Sequence, residues 1–198
     1  MAGDSGSILT PHAALAYLLE GNRRFADGRP QHPRADRIRR GELTKGQQPF
    51  AAVIGCSDSR VPPEIVFDQG MGDLFVVRTA GNVLDDIVMA SVEYAVDHLR
   101  VKLVLVLGHT KCGAVTAACG TGAHAGHLPA LLAALKPAVD AARIRGGDPV
   151  AQAVVENARR GAETLAQKSE IVRAAANAGT LRMAAAKYDL ESGLVEIL

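Results

Sequence analysis

The chain has 198 residues, 48% of them hydrophobic and 22% charged, with a formal net charge of +1. That length supports one well-buried core, so a single domain over 1–198 is expected, with 1–45 as an N-terminal helical arm and connector. The balanced charge gives no reason to expect nucleic acid or an anionic membrane surface as a partner, and no apolar run reaches the length of a transmembrane helix.

The first residues, MAGDSGSILTPHAAL, lack the basic start and apolar core of a signal peptide. This leans the reading toward the cytoplasm, although a chain starting after a removed signal would read the same. From Pro11 to Ala26 the pattern is helical, with Thr10 as N-cap and Pro11 as first helical residue. Leu15, Leu18, Leu19 and Phe25 form its apolar stripe, interrupted by Asn22. This helix packs either on a partner subunit or on its own domain. Arg29 to Lys45 is rich in arginine and proline, but Asp36 and Glu42 interrupt it and no aromatic residue is interleaved. It reads as a solvated connector or interface segment, and as the best candidate for a mobile one.

Phe50 to Gly55 is the first core strand, ending at Cys56-Ser57-Asp58-Ser59-Arg60. A short helix, Glu64 to Phe67, leads to a second strand, Leu74 to Arg78. A helix then runs from Asp85 or Asp86 through His98, with Ile87, Val88, Ser91, Tyr94 and Ala95 on its predicted buried side. Leu103 to Leu107 is an unbroken apolar run stopped by Gly108, the mark of a strand buried on both faces. A short helix to Cys119, a glycine-rich loop, and helices at 128–145, 149–167 and 169–178 follow. Leu181 to Tyr188 and Leu194 to Leu198 close the chain as a strand and a hairpin return. Alternating strands and helices predict an α/β fold: a mostly parallel central β-sheet flanked by helices, with the N-terminal arm and a C-terminal closing strand.

Cys56 and His109 stand at the carboxyl ends of buried strands, where open α/β sheets place their ligands, and Cys112 follows His109 by three residues in a tight turn. Two thiolates and one imidazole make three protein ligands, the pattern of catalytic zinc with its fourth position open. The three cysteines of the chain are too few for a disulfide framework, and Cys119 reads as a small packed residue. His98, His124 and His127 read as surface histidines. Asp58, oriented by Arg60, can accept a hydrogen bond from metal-bound water, or could swing onto the metal and close it.

Cys56-x-Asp58-x-Arg60 together with His109-x-x-Cys112-Gly113 resembles the β-class carbonic anhydrases over about 46–118, and more weakly to the C-terminus. The resemblance implies one Zn²⁺ per subunit on Cys56, His109 and Cys112, with an Asp58–Arg60 dyad beside it. It also implies reversible hydration of carbon dioxide to bicarbonate and a proton, by attack of zinc-bound hydroxide. A homodimer or dimer-built tetramer, with sites at the subunit interface, is implied too. One kind in this family carries a tryptophan three residues before the first cysteine; here that residue is Val53, and the chain has no tryptophan. The chain is thus similar to the open-site kind, in which Gln47 would bind a substrate oxygen while Phe75 and Tyr94 wall an apolar slot. Read without the family, Phe75 and Tyr94 are ordinary core residues. Because two thiolates cancel the charge of Zn²⁺, its water should be less acidic than in tris-histidine sites, with activity rising toward alkaline pH.

Three rivals stay open. Hydrolysis of carbon disulfide or carbonyl sulfide could use the same nucleophile. A zinc-stabilised binding module would leave Asp58 and Arg60 without a task. A redox pair of Cys56 and Cys112 would give His109 none.

Overall fold

A computed structural model describes residues 9–198; residues 1–8, part of the stretch read above for a signal peptide, lie outside it. Five strands form one sheet: β1 (Ala51–Cys56), β2 (Leu74–Thr79), β3 (Leu103–His109), β4 (Arg182–Tyr188) and β5 (Val195–Ile197). Their order is β2-β1-β3-β4-β5, parallel except for the closing β4–β5 hairpin. β1 and β3 are buried along their whole length, as central parallel strands covered on both faces must be.

Helices cover the two faces in a way that fixes the ligand crevice. α1 (Pro11–Ala26), α2 (Arg37–Glu42), α3 (Pro63–Val66), α4 (Asp86–Asp97), α5 (Gly113–Cys119), α6 (Leu128–Arg145), α7 (Pro149–Lys168) and α8 (Glu170–Asn177) follow in chain order. α1 and the α3 region pack with Val53, Leu105 and Ala186 on one face. α4, α7 and α8 pack with Ile54, Val106 and Ala185 on the other. The chain leaves β1 toward β2 across one face and returns past β1 to β3 across the opposite face. The crevice outside the carboxyl ends of β1 and β3 is therefore the switch point of the sheet. Among the described residues no helix is long and apolar enough to cross a membrane.

Three expectations are settled or corrected. α1 packs on its own domain: Ala14, Leu15 and Leu18 join the core under β1 and β3. Asn22, which breaks its apolar stripe in sequence, is buried and joins three segments. It donates to Val66 O (3.1 Å) and Gly193 O (2.9 Å) and accepts from Val195 N (2.8 Å).

The Arg29–Lys45 stretch is not a free connector. It contains α2, capped by Asp36. Gln31 N and His32 N donate to the Asp68 carboxylate at 3.0 and 2.9 Å, and Arg34 forms a forked pair with Asp73. Arg39 also reaches the β1–β2 crossover, donating to Met71 O at 3.1 Å and standing 3.9 Å from Asp73, while most of the stretch stays exposed as expected.

On α4, Val88 and Ala95 are buried as expected, but Val92 and Val96 complete the buried side in place of Ile87, Ser91 and Tyr94. Ile87 is 76% exposed and Tyr94 46% exposed, while Ser91 is only half-buried. The valines at 88, 92 and 96 lie four apart on one face and pack in one cluster with Ala52 and Ile54 of β1 and with Phe75 and Val77 of β2.

Candidate active site

The site forms where β1 and β3 end side by side. Gly55 pairs with Leu107, so Cys56 ends its strand level with Gly108 and beside His109. After His109 the chain turns sharply, with Lys111 in the left-handed region (φ 56°), and Cys112 caps the start of α5. The turn is held from the next strand, where Thr110 N donates to Tyr188 O and Thr110 Oγ1 accepts from Leu190 N.

Cys56, His109 and Cys112 are buried, and one ligand atom from each lies within 4.8 Å of the others. The two sulfurs stand 4.0 Å apart, about twice the length of a disulfide bond. His109 Nδ1 lies 2.9 Å from Thr110 O, so this nitrogen carries the proton and Nε2 presents its lone pair. Nε2 is buried and has no hydrogen-bond partner. A lone pair left bare in the interior beside two sulfurs is what a missing cation would satisfy, and the donor set of two thiolates and an imidazole fits Zn²⁺.

Without a cation the thiols share charge unequally. The hydrogen bond from Cys112 is the largest influence lowering the Cys56 pKa, against the opposing effect of burial. His109 and the N–H groups of Asp58 (3.4 Å) and Gly81 (3.2 Å) act in the same direction. The Cys112 thiol is pushed up by that bond and by burial.

Asp58 and Arg60 sit on the turn after Cys56. Arg60 Nε donates to Asp58 Oδ1 at 2.9 Å and Nη2 to Oδ2 at 2.7 Å, a forked pair, and the Arg60 backbone N–H adds a bond to Oδ1 at 3.0 Å. Those bonds, led by the side-chain pair, hold the Asp58 carboxyl well below the usual carboxylate range. Oδ2 lies 3.8 Å from His109 Nε2, and Arg60 Nη2 also reaches Lys111 O at 3.3 Å.

A family model described as carbonic anhydrase matches residues 51–195. A carbonic anhydrase of Mycolicibacterium smegmatis is 40% identical over 192 residues, 94% of this chain and 93% of that one. A solved chain of a tetrameric β-carbonic anhydrase from Sordaria macrospora superposes with a TM-score of 0.75 at 27% identity, covering 93% of this chain and 96% of that one. The chain belongs to the β-class carbonic anhydrases.

The chain is accordingly an enzyme of the carbonate dehydratase class of lyases. The Coccomyxa β-carbonic anhydrase, solved with acetazolamide, superposes with a TM-score of 0.74 at 32% identity, over 93% of this chain and 86% of that one. A carbonic anhydrase of Mycobacterium tuberculosis is 58% identical over 108 residues, 54% of this chain and 52% of that protein.

Within one chain of this β-class fold, not every expected residue reaches the Cys56, His109 and Cys112 cluster. Phe75 and Tyr94 do meet each other, with ring centroids 6.2 Å apart, and Tyr94 stacks on His98 at 4.9 Å. Phe75, however, pairs with Ala52, roughly 13 Å down the strand from Cys56. Gln47 is exposed on the loop before β1, at the opposite end of that strand from the ligands. His124 is half-buried and His127 exposed, and neither belongs to the ligand cluster. Cys119 packs partly buried beside α6 and α7, as expected.

Two contributors went unread in sequence. Arg78, the last residue of the LFVVR run, donates from Nε to Cys56 O (2.9 Å) and from Nη2 to Asp58 O (2.6 Å). A charge ending an apolar strand next to the ligand strand was its only signal. Gly81 presents its N–H to Cys56 with φ 64°, and a Cβ there would press on Ala114 and Leu135 at 3.2 Å, so glycine is required.

Proposed function

We propose that this chain catalyses the reversible hydration of carbon dioxide to bicarbonate and a proton, with one Zn²⁺ per subunit on Cys56, His109 and Cys112. The observation that carries the reading is the buried, partnerless Nε2 of His109 within 4.8 Å of two sulfurs, with an arginine-locked carboxylate beside it. Three protein ligands leave the fourth position open to a small reactant. When bound, the metal would supply a nucleophile by lowering the pKa of water.

The chain's own residues do the rest. Asp58 accepts hydrogen bonds only, because Arg60 keeps it ionised. Its Oδ2 receives a single Arg60 bond and retains acceptor capacity close to His109, where it orients the proton of the attacking water. The Arg60 fork, anchored on Lys111 O, also keeps the carboxylate from turning onto the metal, and this favours the open-site reading. Arg78 stiffens the turn by holding the carbonyls of Cys56 and Asp58.

Gln47, Phe75 and Tyr94 serve a site completed by a second copy of the chain. β2 is an edge strand, and Ile87 and Tyr94 beside it are exposed. An unpaired edge flanked by exposed apolar residues is suited to a subunit contact. The tetrameric assembly named for the Sordaria relative supports a homodimer or a tetramer built from dimers. Metal analysis with a carbon dioxide hydration assay, on the natural protein and on Cys112→Ser, tests the proposal. One zinc per chain and active hydration are expected, with both lost in Cys112→Ser. Full activity in zinc-free protein would overturn the reading, and carbonyl sulfide in the same assay separates the sulfur-analogue alternative.

A further inference from the structure

One polar side chain lies on the packed face of α7 without serving the core. Val154, Asn157, Ala158 and Gly161 fall at i, i+3, i+4 and i+7, so they share one face of that helix. Three of them do what such a face requires. Val154 and Ala158 press on Gly108 of β3, and Gly161 lies against Val106 of β3 and against Leu84. Asn157 instead points its amide to the loop after β2, where Nδ2 donates to Gly81 O at 2.8 Å. From the other side of the same residue, Gly81 N donates to Cys56 Sγ at 3.2 Å.

We infer that Asn157 is a positioning residue for the metal centre, acting through Gly81 to aim an N–H at the Cys56 thiolate. The inference rests on the proposed zinc site, because Cys56 must be a ligand for its hydrogen bonds to matter. The tether is needed because Gly81 has left-handed backbone (φ 64°, ψ 23°), and a glycine leaves such a conformation easily unless its peptide groups are held. α7 is a good anchor, since its tight seat on β3 sets the position of Asn157 relative to the strand that carries His109. The thiolate receives backbone N–H bonds from Asp58 and Gly81, so losing one removes half of that support. Partners of this kind orient a ligand and spread its charge, and their loss typically costs about 10- to 100-fold in metal affinity.

The test uses the whole chain with zinc and cobalt as probes. Asn157→Leu keeps the volume but not the donor, and Asn157→Ala removes both. Val172→Ala on α8 opens the same packed layer away from the site and reports plain destabilisation. Zinc affinity is read by competition with a chromophoric chelator, and the thiolate-to-cobalt charge-transfer band by absorption of the Co²⁺-substituted protein. Both Asn157 variants are expected to bind zinc about 10- to 100-fold more weakly. Their charge-transfer band should move to longer wavelength, because a thiolate that loses an N–H donor gives up electrons more readily. Val172→Ala should leave both readings unchanged. Asn157 variants that match the natural protein in affinity and spectrum overturn the inference alone. The same band shift in Val172→Ala overturns it too, as it would mark a general loosening. A natural protein that takes up neither metal overturns this inference and the functional reading together.

Discussion

The carboxylates of this chain are used as fixed points. Asp58 is gripped by an arginine fork, and a lysine cannot copy that geometry, because its ammonium is a point charge without two parallel donors. Arg60→Lys should therefore keep its zinc, measured by metal analysis, while the hydration kcat falls about 10- to 100-fold. An unchanged kcat would remove Arg60 from the mechanism. Asp68 does the same work away from the site. Its side chain is fully enclosed; burial pushes its pKa up, but the N–H of Gln31, the Arg24 guanidinium and the N–H of His32 outweigh this and leave it lowered. A lowered folded-state pKa means stability that is fully present above the unfolded value of about 3.9 and is lost as pH falls through the folded one. Asp68→Asn should cost about 1–3 kcal/mol at neutral pH by urea unfolding. It should also flatten the loss of stability of the natural protein below about pH 4. A variant with the same acid slope would show that Asp68 does not carry it.

At the scale of elements, α1 is seated by its apolar face, by the Asn22 bonds to Val66, Gly193 and Val195, and by one close approach. A Cβ at Gly21 would lie 1.9 Å from Phe67 O, so α1 can sit on α3 only because no side chain intervenes there. Gly21→Ala has to push the helix off its seat. We expect a loss of about 1–3 kcal/mol in unfolding free energy despite alanine's better helix propensity. A stabilised variant would mean that α1 is loosely docked. The same docking explains why α1 carries two residues that break its apolar pattern. Gly21 and Asn22 look like flaws in an amphipathic helix until their partners, the carbonyls of Phe67, Val66 and Gly193, are seen. Those partners are far away in sequence, and no local periodicity encodes them. The α4 misreading has another origin. Ile87 is as apolar as the buried valines and Tyr94 adds a large ring to the same side, so hydrophobicity could not choose between two neighbouring faces of one helix.

For the whole molecule, the arrangement predicts that one chain holds a complete ligand set but an incomplete substrate pocket. Gln47, Phe75 and Tyr94 lie away from the ligands of their own chain. Ile87→Asp, placed on the exposed side of α4, should shift the protein toward monomer in light scattering. It should also lower hydration about 10-fold or more at full zinc content, because substrate-positioning groups would be missing. Full activity in a monomer would show that the pocket is built within one chain.

The Cys56, His109 and Cys112 cluster was legible because its signals are local. An unbroken apolar run ended by glycine, then histidine and cysteine, announces a central strand and what it carries, and the Cys56–Arg60 turn announces its neighbour. Element types and the parallel sheet follow from the same short-range patterns, since they depend on periodicity within about ten residues. Only the tertiary structure decided that β1 lies next to β3, which brings Cys56 to His109. Only it revealed that Arg78 and Gly81 bond to the Cys56 turn, that Asn157 bonds to Gly81, and which side of α4 stays uncovered. Those outcomes depend on which surfaces meet across the sheet. A sequence records the chemistry of each surface, but the meeting is set by packing all of them at once.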